Sequence, residues 1–101
     1  MTLLHIVDPA EWDGGTIQPG DEGFVHLSYD HQVHVPGNLF YAGRRGLRLL
    51  VVDEPRVAAD VRVEGGFPHL YAPLTPDVVL GDLPFEPDDD GVFQPLSAPG
   101  R

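Results

Sequence analysis

The chain has no cysteine and no lysine. Without cysteine there are no disulfides, no thiolate metal sites and no cysteine nucleophile, which fits a reducing, cytoplasmic setting. Without lysine, six arginines face sixteen acids, and the formal net charge is −10. A surface of that sign repels phosphate backbones, so non-specific nucleic-acid binding is disfavoured and no nucleic-acid partner is expected. No apolar run approaches the roughly 20 residues of a membrane span. The opening "MTLLHIVDPAEW" has no basic leader and reads as the first strand of the mature fold, so no membrane partner is expected. The nucleotide-binding patterns G-x-x-x-x-G-K-[ST] and G-x-G-x-x-G are missing, as is the hydrolase elbow G-x-S-x-G.

What remains is one domain of 101 residues, 42% hydrophobic, cut into short elements by 11 prolines and 12 glycines. No repeat or linker interrupts it. "LLHIV" (3–7) and "FVHLS" (24–28) read as strands. In "DPAEW", Asp8 can cap a short helix or turn, with Pro9 at its first position and Glu11 three residues after the cap. Asp30 caps a helical stretch, "HQVHVPGNLFYAG", that Pro36-Gly37 should kink or break and Gly43 should stop. "LRLLVVD" (47–53) is apolar on both faces except at Arg48, as in a central strand. "EPRVAAD" is a turn or short helix. "VRVE", "PHLYAPL" and "VVLGDLPF" are further strands, "DDDG" a hairpin turn, "VFQPL" a closing strand and "SAPGR" a frayed tail. The pattern is α+β, strands dominating, with one or two short helices.

Side chains alternate across a strand, and four strands pair an apolar face with one bearing ionisable or polar groups. If the apolar faces form the core, His5, His26, Ser28, Glu64, His69 and Tyr71 converge on a shared cleft. In that cleft His26, Glu64 and His69 are the acid–base candidates, and His5, Ser28 and Tyr71 the substrate contacts. Each has a plainer reading. A strand histidine is commonly a hydrogen-bonded core residue, Ser28 can cap the next helix, Tyr71 can be a core aromatic, and Glu64 can be solvated. His31 and His34 share a helix face, but they are not an H-E-x-x-H pair and no thiolate joins them. No metal is expected, and both are placed on the rim or surface. Arg44, Arg45 and Arg48 are either a solvated turn or an anchor for one anion. "DDDG" lacks the spacing of a calcium loop.

At "EGFVHLSYDHQV", "NLFYAG", "LLVVD", "VRVE" and "FPHLYAPL" the chain resembles the bacterial domain-of-unknown-function family numbered 952, from His5 to about Phe93. The G-F-[IV]-H-L-S and E…F-P-H-[LI]-Y segments carry the likeness. The resemblance implies an ADP-ribosyltransferase-like fold, with small split antiparallel sheets and a cleft between them. That fold also houses RNA 2′-phosphotransferases, which use NAD. It would give His5 a ribose contact, Ser28 a nicotinamide-side contact and Glu64 the oxocarbenium-like centre. The chain departs from such transferases in its shortness, its lack of their longer signatures and its acidic surface, which does not favour a pyrophosphate. NAD therefore enters by fold analogy alone. Three readings stand open: a small enzyme acting on a small-molecule ligand, a binding module with the same cleft and no turnover, and a structural protein with core histidines. The sequence does not specify an oligomeric state.

Overall fold

The structure, a computed structural model, describes residues 2–96; the tail expected at 97–101 lies outside them. In chain order the elements are β1 (Leu3–Val7), β2 (Val25–His26), β3 (Ser28–Tyr29), α1 (His34–Phe40), β4 (Leu47–Val52), α2 (Glu54–Val57), β5 (Val61–Glu64), β6 (Phe67–Leu70) and β7 (Val79–Phe85). Short 3-10 turns follow α2 and precede β7. The strands form two antiparallel sheets, a larger one of order β3-β1-β4-β7 and a smaller one of order β2-β6-β5. The fold is α+β with split sheets and two short helices, and no helix among the described residues is long and apolar enough to cross a membrane.

The larger sheet is covered on both faces, which is why β1 and β4 are apolar on both. Leu3, Val7, Leu50 and Val52 look toward the smaller sheet and pack with Val25, Leu70, Leu74 and Val78. Leu4, Leu47 and Leu49 look the other way and pack with Val33, Phe85 and Phe93 beneath α1. Arg48, the exception on β4, reaches Asp82 of the neighbouring β7, with Nε 2.8 Å from Oδ2. A two-residue turn, Gly65-Gly66, joins β5 to β6. Both residues have positive φ (60° and 84°), the conformation of a type I′ hairpin that glycine adopts without steric cost.

The structure corrects several expectations. "FVHLS" is not one strand. Val25 and His26 pair with Leu70 and His69 in the smaller sheet, while Ser28 and Tyr29 pair with Leu4 and Leu3 in the larger. Leu27 sits at the crossing, buried, its amide still bonded to the Pro68 carbonyl at 3.2 Å. Pro36 does not break α1. It is the third helical residue, ahead of the first helical amide that needs a carbonyl partner, Gly37 to Val33. "VFQPL" forms no strand. Its Phe93 is instead held by Asn38 of α1, whose side chain donates to the Phe93 carbonyl at 2.8 Å and accepts its amide at 2.7 Å. Val63, assigned to an apolar core face, is 57% exposed because β5 is the edge of the smaller sheet.

Candidate functional site

Where the sheets diverge, a cleft of about 350 Å³ opens. β3 stops pairing with β1 after Leu4, so the chain stretch facing His5 belongs to the other sheet. Strand residues His5, Ile6, His26 and Ser28 form one side, and Pro36, Phe40 and Tyr41, from α1 and its C-terminal cap, form the other.

His5 is the best-defined group in the cleft. Its Nδ1 lies 2.6 Å from the backbone carbonyl of His26. A carbonyl can only accept, so Nδ1 carries the proton and the tautomer is fixed. Burial, the largest influence, lowers the pKa below 6.5, against the smaller upward pull of the hydrogen bond to the His26 carbonyl. The ring is therefore neutral at pH 7, with Nε2 an unprotonated acceptor. Nε2 makes no hydrogen bond among the described residues and is not sealed from solvent. Ser28 is buried in β3, and its hydroxyl has no hydrogen bond among those residues. Two polar groups with unused capacity thus stand in a mostly apolar cleft that His26 and Tyr41 also line.

The lowered pKa has a thermodynamic signature. Between the folded pKa of His5 and 6.5 the unfolded chain binds more protons, so stability rises with pH across that window. The full contribution is present above 6.5 and falls as pH drops through the folded value. Asp77, Asp82 and Asp88 are all held below the usual carboxylate range by hydrogen bonds, from Thr75, Arg48 and Val92 first respectively, so they titrate at more acid pH. Melting wild type and His5→Gln at pH 7.5, 6.5 and 5.5 should show a smaller acid-side fall in the variant. Parallel falls would mean that His5 is not held neutral.

The other candidates stand apart from this cleft. His69 faces His26 across the strand pair, ring centroids 6.1 Å apart, and its Nδ1–H donates to the Phe67 carbonyl at 2.8 Å. Tyr71 donates its hydroxyl to Glu64, which raises the tyrosine pKa by favouring the protonated phenol, and the Arg62 guanidinium lies 5.3 Å from the Tyr71 ring centroid. Phe24 touches His26, His69 and Tyr71 with ring centroids 4.9, 4.6 and 5.5 Å away. Glu64, His69 and Tyr71 therefore lie on the outer face of the smaller sheet, while His5, Ser28 and His26 line the cleft. His26 belongs to both groups, and its Nε2 is 3.1 Å from Glu22. The expected single cleft holding His5, His26 and Glu64 is divided: Glu64 pairs with Phe67 at the far end of β5 and is not on the cleft wall.

The arginines near residue 45 are tied internally. Arg44 pairs with Asp8, Arg48 with Asp82, and Arg45 donates to the carbonyls of Pro87 and Asp88. They brace turns, and the anion-anchor reading loses its free cation. His31 stacks on Tyr29, and neither it nor His34 lines the cleft. Among the described residues no group of three or more histidines and acids is placed to hold a metal ion. Sequence reasoning missed Pro36, Phe40, Tyr41 and Glu22. One signal was available, the adjacent apolar pair Leu39-Phe40 in a short helix that cannot bury both; they are 71% and 73% exposed.

Fold and site together define a class, a split pair of small antiparallel sheets sharing one strand stretch, with a histidine cleft at the divergence. The chain belongs to the family described as Protein of unknown function (DUF952), whose model matches residues 6–81. It is similar to protein CC0527 from Caulobacter crescentus. The X-ray crystal structure of that protein is 32% identical, with a TM-score of 0.80 over 93% of this chain and 94% of that one. Its solution NMR structure is 31% identical, with a TM-score of 0.77 over 92% and 91%. No curated protein matches the chain.

Proposed function

We propose that the protein handles a small organic molecule in the His5 cleft, with His5 as the acid–base group and Ser28 as a ligand contact. The observation that carries this reading is the His5 ring, locked as one neutral tautomer with Nε2 available beside a hydroxyl and an apolar wall. An imidazole so held can take a proton from a bound hydroxyl or N–H, a role commonly contributing about 10²–10⁴-fold in rate. The resemblance to the ADP-ribosyltransferase fold makes NAD the first ligand to try, its nicotinamide ribose against His5 and Ser28. A second reading, a binding module without turnover, is favoured by the position of Glu64. ADP-ribosyl transfer would need a carboxylate near the oxocarbenium-like centre, and Glu64 stands at the far end of β5, bonded to Tyr71 and off the cleft wall.

The test is thermal. A ligand that binds only the folded state raises Tm by mass action, about 2.7 kcal/mol at a hundredfold excess over Kd. Millimolar NAD or nicotinamide should raise Tm, His5→Ala should abolish the rise, and His34→Ala should keep it. Release of nicotinamide from NAD, followed by chromatography, separates enzyme from module. If NAD gives neither a shift nor release, the cofactor analogy is dropped. A ligand shift that survives His5→Ala would remove the cleft itself from the reading.

A further inference from the structure

Resting on the reading of the His5 cleft as the ligand site, we propose that its ligand is a flat ring bearing a cationic arm. The ring lies in the cleft and the arm in the hollow beyond His5. That hollow, about 440 Å³, shares His5, Ile6 and Tyr41 with the cleft and runs on to Asp8, Glu11, Trp12 and Asp13. A ligand reaching past His5 therefore meets carboxylates and an indole.

These groups are not equally available. Asp8 accepts the Ala10 amide at 2.9 Å and pairs with Arg44. Asp13 accepts the Gly15 amide at 2.8 Å through Oδ1. Glu11 makes no side-chain contact of this kind among the described residues, so its negative charge is uncompensated. The half-buried Trp12 donates its indole N–H to the Gly15 carbonyl at 3.0 Å. Its hydrogen-bonding capacity is thus used and part of the ring packs on the core, so what it can offer a ligand is the π surface left on the wall of the hollow, the strongest side-chain partner for a cation. The cations that would serve a phosphate or carboxylate are tied: Arg44 to Asp8, Arg48 to Asp82 and Arg45 to backbone carbonyls. An anionic arm would lie beside Glu11 and Asp13, and the nearest cation, Arg44, which lies 5.4 Å from the Tyr41 ring centroid, is already paired with Asp8, whereas an ammonium would meet both carboxylate and indole. At the junction, His5 Nε2 is an acceptor and favours a ring or linker that donates N–H or O–H.

The probes are tryptamine, indole and indole-3-acetate, one ring with a cationic, absent or anionic arm. Affinity is measured by titration calorimetry at pH 7.5 in 50 and 150 mM salt. Tryptamine is expected to bind about five- to tenfold tighter than indole, the gain of a partly exposed ion pair with a cation–π contact, with indole-3-acetate weakest. Glu11→Gln should shrink the tryptamine preference toward indole while leaving indole affinity unchanged. His5→Ala should weaken all three. Equal affinity for the three probes, or a preference unchanged in Glu11→Gln, overturns the cationic-arm proposal and leaves the cleft reading standing. So does His5-dependent binding of NAD with no binding of tryptamine. If no probe and no nicotinamide compound binds, both readings fall together.

Discussion

Phe93→Ala should lower stability by about 3–5 kcal/mol, the range for emptying a buried phenylalanine site. For a domain of this size that corresponds to a Tm drop on the order of 15–30 °C. The ring is 1% exposed and stacks on Phe85 with centroids 4.3 Å apart. It closes the face of the larger sheet formed by Leu4, Leu47 and Leu49, although its own segment is not a strand. Side chains hold the backbone in place: Asn38 makes a two-bond clamp to Phe93, and Asp88 accepts the amides of Asp90 and Val92 through Oδ1 while Gln94 donates to its Oδ2. Little can collapse into the vacated volume, so the cavity penalty should be near full. Urea unfolding of wild type and variant measures it, and a loss under about 1 kcal/mol would mean that the segment does not cover the sheet.

Gly37→Val carries the next largest effect, a loss of about 3 kcal/mol by overpacking. A Cβ at Gly37 would stand 2.8 and 2.9 Å from atoms of the Phe85 ring and 3.3 Å from Phe93. Neither ring can move aside, because each is stacked on the other and buried. Alanine should also destabilise, by less, since it gains up to about 1 kcal/mol of helix propensity over glycine. The same helix carries Pro36 and Phe40 of the cleft wall, so both variants should weaken ligand binding as well. Pairing Gly37→Ala with Phe85→Leu tests the cause, because a smaller side chain opposite should recover part of the alanine loss. An increase in stability for the single alanine variant would refute the close contact.

The parts of the fold that could be read from sequence are those where local pattern and tertiary role agree. β4 announced itself by being apolar on both faces, and it is an inner strand. Leu70 and Val25 alternated as core residues, and they are. The reading failed where one pattern served two masters. "FVHLS" alternates evenly, yet its halves pair with different sheets, and nothing local marks Leu27 as the crossing. Pro36 looked like a breaker because the helix start could not be fixed to His34. The candidate site divided for the same reason as the strand. Alternation places His26, Glu64 and His69 on one face of the smaller sheet but does not state where that face points. Tyr41 and Phe40 could not be found, since a wall supplied by a seven-residue helix leaves no periodic trace.

The cleft has strand residues on one side and α1 on the other, so its width is set by how α1 seats on the larger sheet. A ligand too wide for the cleft must lift α1, and lifting it draws Val33 and Gly37 away from Leu4, Phe85 and Phe93. At roughly 25 cal/mol per Å², re-exposing about 40 Å² of that packing costs about 1 kcal/mol. That is about a fivefold penalty in affinity, imposed by contacts the ligand never touches. Size discrimination at the mouth is therefore enforced from the hydrophobic interior, and a mutation that loosens the interior should broaden what the mouth accepts.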